Sequence, residues 1–311
     1  MSPIDPQRRQ LLALLTLCPL TAMLPQRLVH ADARGDGGAA LAELERRHGG
    51  RLGVYVLDGA RPDAGFGHRE DERFGMCSTF KLLLAAAVLR EADHGRLDLD
   101  ESIHFEESDL VPHAPVVAAA LTHGRMSIAA LAEAAQISSD NAAANLLLRR
   151  LGGPAAFTAL LRGMGDGVTR LDRIEPALNL VPPGELRDTT TPRAMAQTVL
   201  RLFGGDLLSA SAQQRLKAWM IATRTGLQRL RAGLPADWEV GDKTGTGIAA
   251  AMPNKHNDVA VVWRAQHPPL VISAYYEADA HYPGMRAQDD ALLAQVGRMA
   301  ASLPAQQSAE P

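Results

Sequence analysis

Ser78 and Lys81, in the run CSTFKLLLAAAVLREADHG (77–95), stand three residues apart, so on a helix they share one face. A lysine in a first helical turn is opposed by the helix dipole, and burial would disfavour its charge further. Such a lysine can take a proton from a neighbouring serine and make it a nucleophile. The competing interpretation is a helix N-capped by Ser78 with Lys81 at the surface, although a capping box asks for Glu or Gln at that place. Ser139-Asp140-Asn141 lies between two helical runs, where a turn can present a hydroxyl and an amide; these are also the best N-capping residues. Lys243-Thr244-Gly245, followed by Thr246 and Gly247, closes a strand. The lysine offers a charge to a carboxylate, the threonines offer hydroxyls, and the glycine lets a substrate backbone lie against the strand edge. Gly245 to Ala250 also fits a loose G-x-G-x-x-A, but the βαβ setting and the downstream acid of a dinucleotide site are missing.

These segments need elements to hold them. A short helix is expected over 38–48, a strand over 51–58 and a weaker strand near 66–70. Helical patterns then cover 79–93, 127–137, 141–151, 154–162, 192–203 and 211–223, punctuated by Gly and Pro. Strands return at 238–245, 257–264 and 269–277, and an amphipathic helix closes the chain at about 287–303. The expectation is an α+β fold: an antiparallel sheet built from both chain ends, flanked by terminal helices, with an all-α domain inserted. The boundaries expected are 34–75 with 226–311 for the sheet domain and 76–225 for the helical one. A cleft between two such domains is where a ligand site tends to form.

The composition is that of a folded chain, with 46% hydrophobic and 22% charged residues among 311. Lys and Arg are scattered without interleaved aromatics, which argues against nucleic acid. Residues 1–33 have the form of a cleavable signal peptide: Arg8-Arg9, the apolar stretch 11–24, then small residues up to Ala33. The order RRQLL also resembles a twin-arginine signal. Cleavage there would remove three bases and two acids, taking the net charge from −3 to about −4. Cys18 would be lost as well, leaving Cys77 as the single mature cysteine and excluding an internal disulfide. The expected location is periplasmic or secreted, with no stable membrane association after cleavage. None of the ten histidines falls in H-x-H or H-E-x-x-H spacing, so neither a metal nor another cofactor is expected.

Ser-x-x-Lys at 78–81, Ser-Asp-Asn at 139–141 and Lys-Thr-Gly at 243–245, in that order, resemble the serine β-lactamases and penicillin-binding proteins. RIEPALN (173–179) followed by RDTTTP (187–192) is similar to the omega loop of class A β-lactamases in particular, here about 172–188. The resemblance covers roughly residues 36–305 and implies a hydrolase of β-lactam antibiotics; the sequence carries no oligomer signal, and a monomer is the default expectation. It implies Ser78 as the acylated nucleophile, an oxyanion hole from the amides of Ser78 and Thr246, and Lys81 in the proton path. Ser139 would pass a proton to the leaving nitrogen, and Asn141 would bind the substrate's side-chain amide. Lys243, Thr244, Gly245, Thr246 and Arg229 would form the carboxylate site. Glu175 and Asn179 would hold the hydrolytic water between them, and Arg173 and Asp188 would brace the loop. Either Lys81 or Glu175 can be the acylation base. A cis Glu175–Pro176 bond is also implied.

The pattern departs from close relatives in several places. His113, in DLVPHAPV, stands where an aromatic usually lines the cleft mouth, and is expected at the substrate-facing rim. Gly247 occupies the place of a second cysteine with which some carbapenem-hydrolysing members bridge the residue corresponding to Cys77. The segment IAAAMPNKH (248–256) makes the hairpin after Lys-Thr-Gly longer than usual, and it borders the cleft. Two other activities compete: a sensor that stays acylated, and a D-alanyl-D-alanine carboxypeptidase. Neither has a use for Glu175.

Overall fold

The computed structural model describes residues 33–250 and 252–307; the expected signal peptide, up to residue 32, lies outside them. The chain runs α1 (Ala33–His48), β1 (Arg51–Asp58), β2 (Phe66–His68), β3 (Phe74–Gly75), α2 (Phe80–Asp93) and β4 (Ser102–His104). It continues with α3 (Pro115–Ala119), β5 (Arg125–Ser127), α4 (Ile128–Ile137), α5 (Asn141–Arg150), α6 (Pro154–Gly163) and β6 (Thr189–Thr190). Last come α7 (Pro192–Gly204), α8 (Ala210–Ala222), α9 (Leu230–Gly233), β7 (Glu239–Gly247), β8 (Lys255–Trp263), β9 (Leu270–Glu277) and α10 (Ala287–Gln307).

The fold is α+β. Five strands form one antiparallel sheet in the order β2-β1-β9-β8-β7, so both chain ends contribute to it. The sheet is buried on both faces, which is why its central strands read as continuous apolar runs instead of alternating. Period two still sorts the side chains. Leu52, Val54 and Val56 pack with Leu41, Leu292 and Val296 of the terminal helices, whereas Tyr55 and Leu57 join the helical core on the other face. Helix α2 is the axis of that second core. Every residue from Phe80 to Leu89 is buried, as a helix apolar all round requires.

Several local expectations change. Helix α1 begins at Ala33 instead of 38, β2 stops at 68, and Lys255 and His256 belong to β8, so the hairpin loop is 248–254. Ser78 caps nothing: it lies in a 3-10 turn, Cys77–Thr79, and the residue at the N-cap of α2 is Thr79, with no side-chain bond to the helix. The small pairs β3–β6 and β4–β5 and the short helices α3 and α9 were not foreseen, because two- and three-residue strands carry no periodicity to read.

Asp140 ties the helical part together beside the Ser139 turn. It is fully buried, and its Oδ1 accepts the Ala143 amide at 2.8 Å as the N-cap of α5. Oδ2 accepts the amides of Val116 and Val117 at 2.9 and 3.0 Å, the first turn of α3. Replacing Asp140 with Ala would strand three donors, two of them fully buried, a loss of about 3 kcal/mol measured by chemical denaturation. Asp140→Asn, which keeps one acceptor, should lose less. Equal stability of the alanine variant and the parent would contradict this assignment.

Candidate active site

Three segments converge on Lys81. Its ammonium is fully buried and meets Ser78 Oγ at 3.0 Å, Ser139 O at 2.9 Å, Ser139 Oγ at 3.5 Å and Glu175 Oε1 at 3.0 Å. It also donates to Asn141 Oδ1. Five oxygens thus surround a group with three N–H bonds, so donors must be shared and a proton has several short routes. Burial is the main influence lowering the Lys81 pKa, with the Glu175 carboxylate opposing it. Ser78 Oγ lies 3.4 Å from Glu175 Oε1, so the serine hydroxyl has a candidate base on either side.

A second lysine stands behind Ser139. Lys243 Nζ donates to Ser139 Oγ at 3.0 Å and to Thr244 O at 2.9 Å. Its pKa is pushed down to about 7, first by burial and then by the charge of Lys81. Ser139 therefore bridges two lysines whose charges oppose one another.

The backbone around these groups is bent into sparsely populated conformations. Of six non-glycine residues with positive φ among those described, four lie in the site segments: Cys77 (46°), His113 (64°), Ser139 (56°) and Asp188 (59°). Such outliers persist only where the surroundings over-determine them. Asn257 holds the approach to Ser78 by donating to the carbonyls of Gly75 and Met76 at 2.9 and 3.0 Å.

The segment 172–188 is tied at its neck by Asp188. Oδ1 accepts the amides of Asp172 and Arg173 at 2.7 and 2.9 Å, and Oδ2 accepts Arg173 Nε at 2.5 Å. Further in, Asn145 clamps the Glu175 backbone with both ends of its amide, accepting its N–H at 2.9 Å and donating to its carbonyl at 3.0 Å. The Glu175–Pro176 bond is cis. Asn179 Nδ2 donates directly to Glu175 Oε2 at 2.6 Å, which leaves Oε1 turned to Ser78.

A cavity of about 440 Å³ opens onto this centre, lined by Ser78, His113, Ser139, Asn141 and Asn179 on one side. Thr225, Arg229, Thr244, Thr246 and Met285 line the other. Asn141 spends one amide hydrogen on Pro112 O at 2.7 Å, and its second remains for a ligand. His113 is exposed, with Nε2 3.1 Å from Ser138 O. Arg229 is 2% exposed, so it is not a helix-end surface charge. It donates to Thr246 Oγ1 at 2.8 Å, to the carbonyls of Gly245 and Asn257 at 3.0 and 2.8 Å, and to Asp290 at 2.8 Å. A Cβ on Gly245 would stand 2.6 Å from Met76 O, so the protein's own backbone also lies against the strand there. A Cβ on Gly247 would come within 2.9 Å of Cys77 Sγ, a buried thiol whose pKa burial pushes up to about 12.

Sequence reasoning missed Asn145, Thr225, Asp290 and Met285. Asn145 left a trace, being four residues after Asn141 on one face of an Ala/Leu-rich helix. The others are joined to the site only by the tertiary fold.

Comparison with known proteins accords with this geometry. A family model described as the β-lactamase enzyme family matches residues 38–303. β-Lactamase FAR-1 of Nocardia farcinica is 46% identical over 261 residues, 84% of this chain and 80% of that protein. β-Lactamase L2 of Stenotrophomonas maltophilia is 45% identical over 270 residues, 86% of each chain. Among solved structures, the last common ancestor of Gram-negative bacteria class A β-lactamase is 52% identical with a TM-score of 0.80, over 86% of this chain and 98% of that one. A β-lactamase from Xanthomonas campestris is 45% identical with a TM-score of 0.80, over 88% and 98%. With a family match over most of its length and relatives this similar, the chain belongs to the β-lactamase enzyme family, in class A.

Proposed function

We propose that this chain hydrolyses the amide bond of β-lactam antibiotics through an acyl-enzyme on Ser78, and so confers resistance. Ser78 Oγ attacks the lactam carbonyl carbon and gives its proton to Glu175, or to Lys81 in its neutral amine form, which burial favours. The oxyanion is received by the amides of Ser78 and Thr246; fixed donors of this kind contribute about 3 kcal/mol each. Collapse breaks the C–N bond as Ser139 hands a proton to the nitrogen and is resupplied from the lysines beside it. A water then loses a proton to Glu175 and attacks the ester carbonyl, and Ser78 leaves with its proton restored. Lys243, Thr244 and Thr246 bind the substrate carboxylate, Asn141 its side-chain amide, and His113 the rim contact. Arg173 and Asp188 brace segment 172–188 as an omega loop.

The segment 76–225 carries most of this machinery as the inserted helical domain. The N-terminal 33 residues act as the export signal, and the monomeric product works in the periplasm or outside the cell. Among the described residues no helix is long and apolar enough to cross a membrane.

The observation that carries hydrolysis over mere acylation is the placement of Glu175. Its carboxylate stands 3.4 Å from Ser78 Oγ on a backbone clamped by Asn145, which is what activating a water against the acyl ester needs. With excess benzylpenicillin, the mature chain should open many equivalents. Glu175→Gln should lower kcat by roughly 10²–10⁴-fold and accumulate a penicilloyl adduct seen by intact mass. Ser78→Ala should form none. Unchanged turnover in both variants would refute the mechanism, and a stable single-equivalent adduct on the parent would make the chain a sensor.

Lys243 supplies the pH dependence. With its folded pKa near 7, it loses its charge, and with it the substrate carboxylate's partner, as pH rises above about 7. The kcat/KM of an acidic substrate should therefore fall on that limb, and Lys243→Arg, charged throughout, should move the limb to higher pH. The stability sign is opposite. The unfolded chain holds the Lys243 proton up to the ordinary lysine range, so the penalty of burying its charge fades, and stability rises, as pH rises above about 7. An alkaline limb unmoved in Lys243→Arg would exclude Lys243 as its origin.

A further inference from the structure

A second cavity, of about 390 Å³, shares no lining residue with the cleft; Arg73, Thr158, Arg162, Gly167, Arg170 and Asp172 are among its walls. Three guanidinium groups from separate segments meet there. Arg73 immediately precedes β3, Arg162 is in the last turn of α6, and Arg170 lies just before segment 172–188. Arg170 is paired with Asp172 through bonds of 2.5 and 2.9 Å. Arg73 and Arg162 have no carboxylate within 4.0 Å among the described residues. Each spends only one nitrogen, and on neutral oxygens. Arg73 Nη1 donates to Val168 O and Thr189 Oγ1 at 3.2 and 3.0 Å, and Arg162 Nη1 to the carbonyls of Asp166 and Thr169 at 2.6 and 2.7 Å.

Arg162 is exposed and Arg73 half-buried, so their remaining N–H groups have no protein partner and are open to the cavity and to solvent. Burial holds the Arg73 pKa below the usual arginine range, and so do the like charges of Arg170 and Arg162. Two carboxylates moderate the field. Asp172 is taken up by Arg170 and by the Asp188 amide, and the buried Asp166 by the amides of Val168 and Thr169 and the Thr198 hydroxyl. Three like charges facing one concavity, two of them unpaired, are relieved by an anion bound between them, and planar guanidinium forks match tetrahedral oxyanions.

We propose that this cavity is a binding site for a small oxyanion, with the phosphate group as the class it fits. An anion held by Arg73, Arg162 and Arg170 would join the strand leading to Ser78, the end of α6 and the start of the segment carrying Glu175. The volume is within the range of small-molecule sites and exceeds that of one bare ion, so a hydrated phosphate or a small phosphomonoester can enter.

Thermal unfolding of the mature chain would be followed against inorganic phosphate, against glucose 6-phosphate, and against chloride at equal ionic strength. Bulk salting effects and any anion held by Lys243 in the cleft are common to the parent and to variants of the distal cavity. Two such variants isolate the site. Arg162→Gln removes one guanidinium. Ala155→Glu puts a carboxylate on the wall while leaving every hydrogen bond in place, in a first helical turn that favours acids. In the parent, phosphate at ten times its Kd should raise Tm by about 3 °C beyond chloride, with saturation. Both variants should lose that increment while keeping kcat/KM. A response to glucose 6-phosphate matching that to phosphate would identify an esterified ligand as acceptable, and a response to phosphate alone the free ion. An increment of equal size in the parent and in Ala155→Glu, or none in the parent, would overturn the proposal.

Discussion

One buried ammonium organises the centre of this protein. Lys81 is fully enclosed, and a charge removed from water costs several kcal/mol unless its partners restore what hydration gave. Five oxygens restore it, and they come from the 3-10 turn that precedes α2, from the Ser139 turn and the start of α5, and from the segment carrying Glu175. None of these segments can shift without stranding the charge. The same crowding that makes Lys81 structurally necessary shortens the path of a proton among Ser78, Ser139 and Glu175. Stability and reactivity are two aspects of one arrangement, so neither can be altered alone at this point.

Each converging segment is fixed by a buried or half-buried polar side chain that does not touch the reacting atoms. Asp140 caps α5 and α3 and thereby sets the turn in which Ser139 takes positive φ. Asp188 gathers two amides and a guanidinium to close the neck of segment 172–188. Asn145 holds the Glu175 backbone by both of its polar atoms. Backbone polar groups in irregular segments must find partners when buried, and here side chains from neighbouring elements supply them. Loop segments gain in this way the positional precision that catalysis demands of helices and strands.

Much of this was legible in the residues. The long helices and the main strands came out within a few residues, because periodic apolar patterns over eight or more positions have one consistent interpretation. The three polar motifs also came together around one cleft. The details left open or missed share a cause. Ser78 was open to assignment as a cap because Ser at a helix start is ordinarily one; only the tertiary fold shows its hydroxyl turned to Lys81 and Glu175. Gly245 is glycine because Met76 O lies against it, a contact across most of the chain. Thr225, Met285 and Asp290 reach the site from segments with no motif, so nothing local could single them out.

The side of the cleft proposed to bind the substrate carboxylate illustrates how far a residue's type is from its use. Arg229 and Lys243 are both cations beside Thr246 and Thr244, and on sequence they are equivalent attractors. Arg229, however, gives Nε to Asp290, Nη1 to two carbonyls and Nη2 to Thr246, so four of its five N–H bonds are committed and its charge is already paired. Lys243 has no carboxylate within 4.0 Å among the described residues, and its acceptors are a hydroxyl and a carbonyl. In the proposed mechanism the field that draws an anionic substrate therefore comes from Lys243. In that mechanism Arg229, bonded to the carbonyls of Gly245 and Asn257, would hold β7 against β8 and aim the Thr246 hydroxyl beside the substrate carboxylate.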